Sequence, residues 1–121
     1  MKLTNQQIYT YAQSLSAFNI EQKMPVKIGF FLRKNIQTII EAGTEIEQAK
    51  MKLAAEYGTI NAAGTGYDIS PENISKVNQE LMDLFSLEQE LNIHVFTLEN
   101  FDGIELTYNE LSSIMFMMEE E

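Results

Sequence analysis

The chain contains no cysteine, which excludes disulfides, zinc–thiolate sites and thiol nucleophiles. The absence of cysteine is typical of a protein that works in a reducing cytoplasm. No apolar run approaches the ~20 residues that a membrane-spanning helix requires. The segment Met1–Gln6 turns polar at once, so we expect no signal peptide and a protein that stays in the cytoplasm. The length of 121 residues favours a single domain, residues 1–121.

Basic residues are scarce: 8 lysines and arginines stand against 18 aspartates and glutamates, giving a net charge of −10. The two halves differ, because residues 1–57 hold seven basic and five acidic residues while residues 58–121 hold one and thirteen. This acidic field disfavours binding to duplex nucleic acid, although a local basic patch can hold a small anion. The hydrophobic share of 45% predicts a folded core.

Capping signals and apolar spacing predict two helices in the first half. Thr4 and Gln7 form a capping box, which predicts a first helix over about residues 5–17. Pro25 suits the first turn of a second helix that runs to Tyr57, a rod of ~50 Å, after a connection over residues 18–24. We expect Gly58 to end this helix in the left-handed conformation.

Apolar residues of the second helix alternate between spacings of three and four, which is the heptad pattern. This seam consists of Leu32, Ile36, Ile39, Gly43, Ile46, Lys50, Leu53 and Tyr57. Gly43 allows close approach of another helix, and Lys50 is expected to extend its ammonium group to solvent.

A third helix is predicted from Ser70 and Pro71 to about Phe85. With the loop Asn61–Gly66 before it, this helix should form an antiparallel hairpin with the second helix. The third helix covers only about half of the second by rise per residue. The uncovered half must pack on the first helix, on the C-terminal segment or on another copy, and we therefore expect a homo-oligomer.

The last third of the chain changes period. Residues 91–96 alternate as in a strand, Asn100–Gly103 is a turn, and Ile104–Leu106 is a candidate returning strand. Thr107 and Glu110 form a second capping box before a Met-rich last helix. The predicted fold class is mainly α with a small β element (α+β): a long antiparallel helical hairpin with an N-terminal helix, a short β-hairpin and a C-terminal helix.

No residue pattern supports a standard active site. His94 is the only histidine and has no carboxylate at metal-binding spacing, so we interpret it as structural. The loop Gly64–Gly66 lacks the Lys-Ser/Thr of a P-loop and follows a helix rather than a strand. We therefore predict no catalytic residues, no metal site and no cofactor, and we do not expect an enzyme.

The best candidate site lies on the second helix, on the side predicted to be opposite the seam. Lys27, Phe31, Lys34 and Thr38 fall within a narrow sector of the helix, with Phe30 beside them. Phenylalanines can supply stacking area and lysines can bind an anion. The predicted ligand-binding residues, including the two flanking polar side chains, are Lys27, Phe30, Phe31, Arg33, Lys34 and Asn35. The alternative is that the first helix buries both phenylalanines while the lysines stay solvated.

The C-terminal run Ile114–Met118 is apolar around the whole helix, which fits either core packing or an adaptable subunit contact. The predicted oligomer interface consists of Leu32, Ile36, Ile39, Ile114, Met115 and Phe116.

Several short motifs occur in a fixed order along the chain. They are Met24–Lys27, Leu32–Asn35, Ala55–Gly58, Pro71–Ile74, Glu90–Ile93 and Leu106–Thr107, before a Met-rich acidic end. In this order the chain resembles small uncharacterised proteins encoded by bacteriophages and prophages of Gram-positive hosts. The resemblance implies action inside the infected bacterial cell or during virion assembly, and it implies no catalytic or binding residues.

Two functions follow as hypotheses. The first is a non-enzymatic, phage-encoded binding protein that counters host defence by sequestering a small nucleotide signal or by blocking a host protein. The second is a structural or assembly factor of the virion that acts through protein–protein contacts. A copy of itself, a small anionic nucleotide and a host or phage protein are the expected partners, and duplex nucleic acid and membranes are not.

Overall fold

Both predicted capping boxes form, and each fixes the start of a helix. Thr4 and Thr107 each accept a hydrogen bond from the backbone N–H three residues later. In return, the side chains of Gln7 and Glu110 accept a hydrogen bond from the backbone N–H of these threonines. A computed structural model describes residues 1–18 and 24–119 and shows a mainly α protein with small β elements. The helices are α1 (Asn5–Leu15), α2 (Val26–Tyr57), α3 (Pro71–Ser86) and α4 (Tyr108–Ile114), with 3-10 turns at Leu98–Phe101 and Met115–Met117. The strands are β1 (Lys2–Thr4), β2 (Gly58–Ile60), β3 (Tyr67–Ile69) and β4 (Glu88–Glu90). The predicted connection lies mostly outside the described residues, as do Glu120 and Glu121 of the acidic end.

The long helix α2 is continuous, as its apolar spacing predicts, but its end differs from the prediction. Gly58 has φ −124° and ψ 176°, which is extended backbone and not the left-handed conformation. The reason is that Gly58 begins strand β2, which pairs antiparallel with β3 and joins α2 to α3. The predicted loop Asn61–Gly66 is therefore the tip of a small β-hairpin, which the sequence pattern did not predict.

The β-hairpin predicted over residues 91–96 and 104–106 is wrong. Residues 91–95 form no ladder, and Phe96 makes only an isolated parallel bridge to Met118. Ile93 and Phe96 are the buried residues of this segment, a spacing of three that comes from packing on α2 and not from a pleated sheet. The strand that does form nearby, β4, pairs antiparallel with β1.

The core surrounds the N-terminal half of α2, and the chain covers this half by itself. Helix α1 lies along α2, and the segment ending at Met118 packs beside it. The core contains Ile8, Leu15, Ile28, Leu32, Ile36, Ile39, Phe96, Ile114 and Met117. The mismatch in helix length is thus resolved within one chain, which removes the reason to expect an oligomer on that ground.

The predicted oligomer interface needs the same correction. Leu32, Ile36, Ile39 and Ile114 are buried in the chain's own core, so their side chains are not at the surface for a second copy. Phe116 is half-buried and stacks on Tyr11 with ring centroids 4.0 Å apart. Of the six predicted residues, Met115 alone has an exposed side chain.

The distal part of the molecule, formed by residues 47–57 of α2, the β2–β3 hairpin and α3, is thinly packed. Val77 is its buried hydrophobic residue in α3, and the seam positions Lys50, Leu53 and Tyr57 are only half-buried. The Lys50 ammonium lies 5.6 Å from the centre of the Tyr9 ring, which explains a lysine on the seam.

Among residues 1–18 and 24–119, no helix has both the length and the hydropathy of a membrane span.

Candidate functional site

A cleft of about 360 Å³ lies between α2 and the irregular segment at residues 92–95. Helix α2 forms one wall with side chains spaced three and four apart, which one helical face presents together. The lining residues are Phe31, Lys34, Asn35, Thr38, Asn92, Ile93, His94 and Val95. The cleft therefore combines aromatic surface, one cation and several groups able to hydrogen-bond a ligand.

Asn35 fixes the second wall. Its side-chain Nδ2 donates to the His94 carbonyl oxygen at 2.8 Å, and the His94 N–H donates to its Oδ1 at 2.9 Å. Nδ2 also lies 3.4 Å from the Met117 sulfur, and the residue is only 1% exposed. Because this carboxamide is committed to the backbone of residue 94, the prediction that Asn35 contacts a ligand is replaced by a positioning role.

The His94 ring is the centre of an aromatic row. It stacks on Phe31 with centroids 4.1 Å apart and planes 11° from parallel, and it meets Phe96 edge to face at 4.8 Å. Phe96 in turn meets the buried Phe101 at 5.2 Å, so the row is anchored in the core. At its other end Phe30, 57% exposed, packs edge to face against Phe31. The stacked pair supplies the aromatic part of the cleft lining.

The cation of the cleft is Lys34. Its ammonium lies 5.7 Å from the centre of the Phe30 ring, and the salt bridges within residues 1–18 and 24–119 do not involve it. The Thr38 hydroxyl donates to the Lys34 carbonyl at 2.9 Å and keeps its lone pairs for a further donor. An anion entering the cleft would meet this cation without displacing a carboxylate from it.

Part of the predicted sector of α2 lies at the cleft. Phe31, Lys34 and Thr38 line the cleft together, as predicted, whereas Lys27 and Arg33 do not line it. Phe31 is half-buried at the edge of the buried face of α2, so the predicted sector flanks the core and does not oppose it. The prediction omits two lining residues, Asn92 and His94, of which His94 is interpreted as structural. The signal for both in the sequence is that they are polar and alternate with apolar residues at 91–95.

Outside the cleft, a hydrogen bond between side chains links α1 to α2. The Tyr9 hydroxyl donates to Glu47 Oε2 at 2.6 Å. This hydrogen bond is the main cause, and burial the next, of a Tyr9 pKa that is raised above its ordinary value.

Across the part of the chain that the structure describes, no group of three or more His, Asp or Glu side chains is arranged to hold a metal ion.

Comparisons with protein-family models, curated proteins and solved structures find no match to this chain.

Proposed function

We propose that this chain is a non-enzymatic binding protein that captures a small planar anion, such as a nucleotide, in the Phe31–His94 cleft. The observation that carries the proposal is the stacked Phe31–His94 pair beside the Lys34 ammonium. Aromatic surface contributes about 1–3 kcal/mol per stacked base, and a hydrogen bond to a charged group contributes about 1.5–3 kcal/mol. Asn92 and Thr38 add polar groups that can select among ligands.

The surroundings of His94 support binding without chemistry. Its ring contacts two phenylalanine rings, and its side chain makes no hydrogen bond within the described residues. A general base needs a reacting group within hydrogen-bond reach and an orienting partner. The arrangement around His94 supplies flat surface in place of such a partner.

The biological setting of the proposal comes from the resemblance to small phage proteins. In the cytoplasm of an infected bacterium, a protein that holds a nucleotide without converting it would lower the free concentration of that nucleotide. We propose that it acts in this way as a counter-defence factor, either by sequestering a nucleotide signal or by blocking the host protein that responds to it.

Calorimetric titration with nucleoside monophosphates, cyclic mononucleotides and cyclic dinucleotides tests the proposal. We expect at least one of these to bind, and Lys34→Ala and His94→Ala each to weaken it by about tenfold or more, because one removes the cation and the other removes stacking area. Lys52→Ala is the matched control, since it removes an exposed lysine from the same helix away from the cleft.

Failure would take either of two forms. No member of the panel binds with a Kd below ~1 mM, or both cleft variants bind as tightly as the wild type. Circular dichroism of each variant shows whether the fold is retained, so that a loss of binding can be assigned to the cleft.

The distal part of the molecule favours a second candidate function, that of an assembly factor. Met51, Ile60 and Tyr67 are exposed beside an open groove of about 430 Å³ between α2 and the β2–β3 hairpin. In this proposal α2 and α3 act as one antiparallel helical hairpin whose apolar distal surface contacts a virion protein. It predicts that the chain co-sediments with head or tail intermediates from infected cells, and Ile60→Ser should abolish that association.

A further inference from the structure

A basic face lies on the first turns of α2, and of its residues Lys34 alone lines the cleft. Between Glu21 and Glu41 the sequence has four basic residues and no acidic one, although the chain carries a net charge of −10. We define the basic face as the exposed side chains Val26, Lys27, Phe30, Arg33 and Lys34. Val26, 89% exposed, and Phe30 lie with Arg33 and Lys34 in a sector of about 100° of the helix. The face is therefore apolar in the middle and cationic around it.

The same chain carries a surface of opposite sign. Residues 97–110 contain no basic residue, and Glu99, Asp102 and Glu105 of this stretch are exposed. Leu98 and Tyr108 are 58% and 83% exposed. We call this stretch the acidic segment; like the basic face, it combines large exposed apolar side chains with charges of one sign.

We propose that the basic face of one copy docks on the acidic segment of a second copy. Charge complementarity favours this occupant, because three cations meet three carboxylates while exposed apolar side chains on both surfaces leave water. Among the described residues, no salt bridge joins a cation of the basic face to a carboxylate of the acidic segment within one chain. Duplex nucleic acid is disfavoured as the occupant because the rest of the chain repels phosphate.

The proposed contact joins two different surfaces, so it is heterologous and not a symmetric pairing. A pair of copies keeps one unused basic face and one unused acidic segment, so further copies add head to tail unless the ring closes. The contact does not depend on the ligand of the cleft. Lys34 belongs to the basic face and also lines the cleft, so the contact would lie next to the mouth of the cleft.

Two neutralising double variants test this contact and leave Lys34 intact. Lys27→Gln with Arg33→Gln removes charge from the basic face, and Glu99→Gln with Asp102→Asn removes charge from the acidic segment. Sedimentation velocity over a range of concentrations at low ionic strength should show self-association of the wild type and about tenfold weaker association of either variant alone. The association should also decrease with added salt, since a screening length of about 3 Å at 1 M leaves little attraction between exposed charges.

Mixing the two variants gives the decisive result. One partner keeps its basic face and the other keeps its acidic segment, so an equimolar mixture should form a heterodimer and stop at two chains. Lys52→Gln and Glu72→Gln, which change exposed charges elsewhere, should associate as the wild type does.

Three outcomes would overturn the proposal: a wild type that stays monomeric at all concentrations, a mixture that forms no heterodimer, or an acidic-segment variant that associates more strongly than the wild type. The last would mean that net repulsion, not the local contact, governs association. Because none of the four substituted residues lines the cleft, nucleotide titration of the same variants tests the proposed ligand separately.

Discussion

At the scale of single residues, one buried carboxamide determines the shape of the cleft. Asn35 binds the backbone N–H and carbonyl of a residue 59 positions away in sequence, and this pairing holds an irregular segment without a β-ladder. The hydrogen bonds that a neighbouring strand would supply come instead from a side chain, and the His94 ring is thereby placed on Phe31.

Asn35→Ala should lower the free energy of unfolding by about 1–3 kcal/mol, because it leaves the backbone groups of residue 94 without partners. Chemical denaturation measures this loss. Asn78→Ala removes an exposed amide from α3 and should leave stability unchanged or slightly higher. If the two variants were equally stable, the double hydrogen bond would have no structural weight and the positioning role of Asn35 would be refuted.

The sequence predicted part of the cleft lining. Phe31, Lys34 and Thr38 could be grouped because helical spacing alone places them together. His94 could not be added, since its position depends on a contact with a distant residue and on backbone that no local pattern describes. Asn35 was assigned to a ligand because sequence does not distinguish an amide facing solvent from one facing backbone.

At the scale of elements, α1 and α2 approach closely where Gly43 meets Ala12. A methyl group built on Gly43 would lie 2.7 Å from the Ala12 Cβ, which is closer than two carbon atoms can pack. This distance confirms the prediction that Gly43 allows another helix, here α1, to approach α2 closely.

Gly43→Ala should destabilise the protein by about 1–2 kcal/mol, because the steric cost exceeds the gain in helix propensity. Thermal unfolding should show a lower Tm. Gly29→Ala is the matched control: it makes the same change in the same helix, but its nearest neighbour is the flexible Met24 side chain at 3.4 Å. That variant should be as stable as the wild type or more stable by up to about 1 kcal/mol.

The compensating variant separates crowding from other causes. Ala12→Gly combined with Gly43→Ala exchanges the positions of the methyl group and should recover most of the loss seen with Gly43→Ala alone, apart from the cost of a glycine in α1. A double variant no more stable than Gly43→Ala would show that the contact with Ala12 is not the reason for the loss.

The elements themselves were predicted unequally. Helices were found because caps and apolar spacing are local signals, as at Thr4, Pro71 and Thr107. The strands were misplaced because each has only three residues and is defined by its partner, such as Lys2 opposite Glu90. Alternation at residues 91–96 arose from a segment crossing α2, which gives the same pattern as a strand over so short a length.

At the scale of the whole molecule, the core is distributed unevenly. The described residues of α1 and of the C-terminal segment bury the first half of α2. In the distal part Val77 is the buried hydrophobic residue, and Leu84 and Phe85 at the end of α3 pack partly buried against the main core. Local stability follows the number of buried apolar contacts, so the two parts should open with different free energies.

Hydrogen exchange should show this gradient. We expect the slowest amide exchange in α2 between Ile28 and Ile46, and faster exchange in the β2–β3 hairpin and the first turns of α3. Mass spectrometry of peptides from the exchanged protein provides the measurement. Uniform protection along α2 and α3 would contradict the uneven core, and a second contact covering the distal part would then be required.

The meeting of Gly43 and Ala12 also constrains how this protein can diverge. A mutation that enlarges Gly43 avoids the clash only where Ala12 has become glycine, so these two substitutions should appear as a linked pair across a lineage. Such a pair, separated by about three turns of α2 from the aromatic residue of the cleft, would identify distant relatives that share this helix crossing after other sequence similarity has been lost.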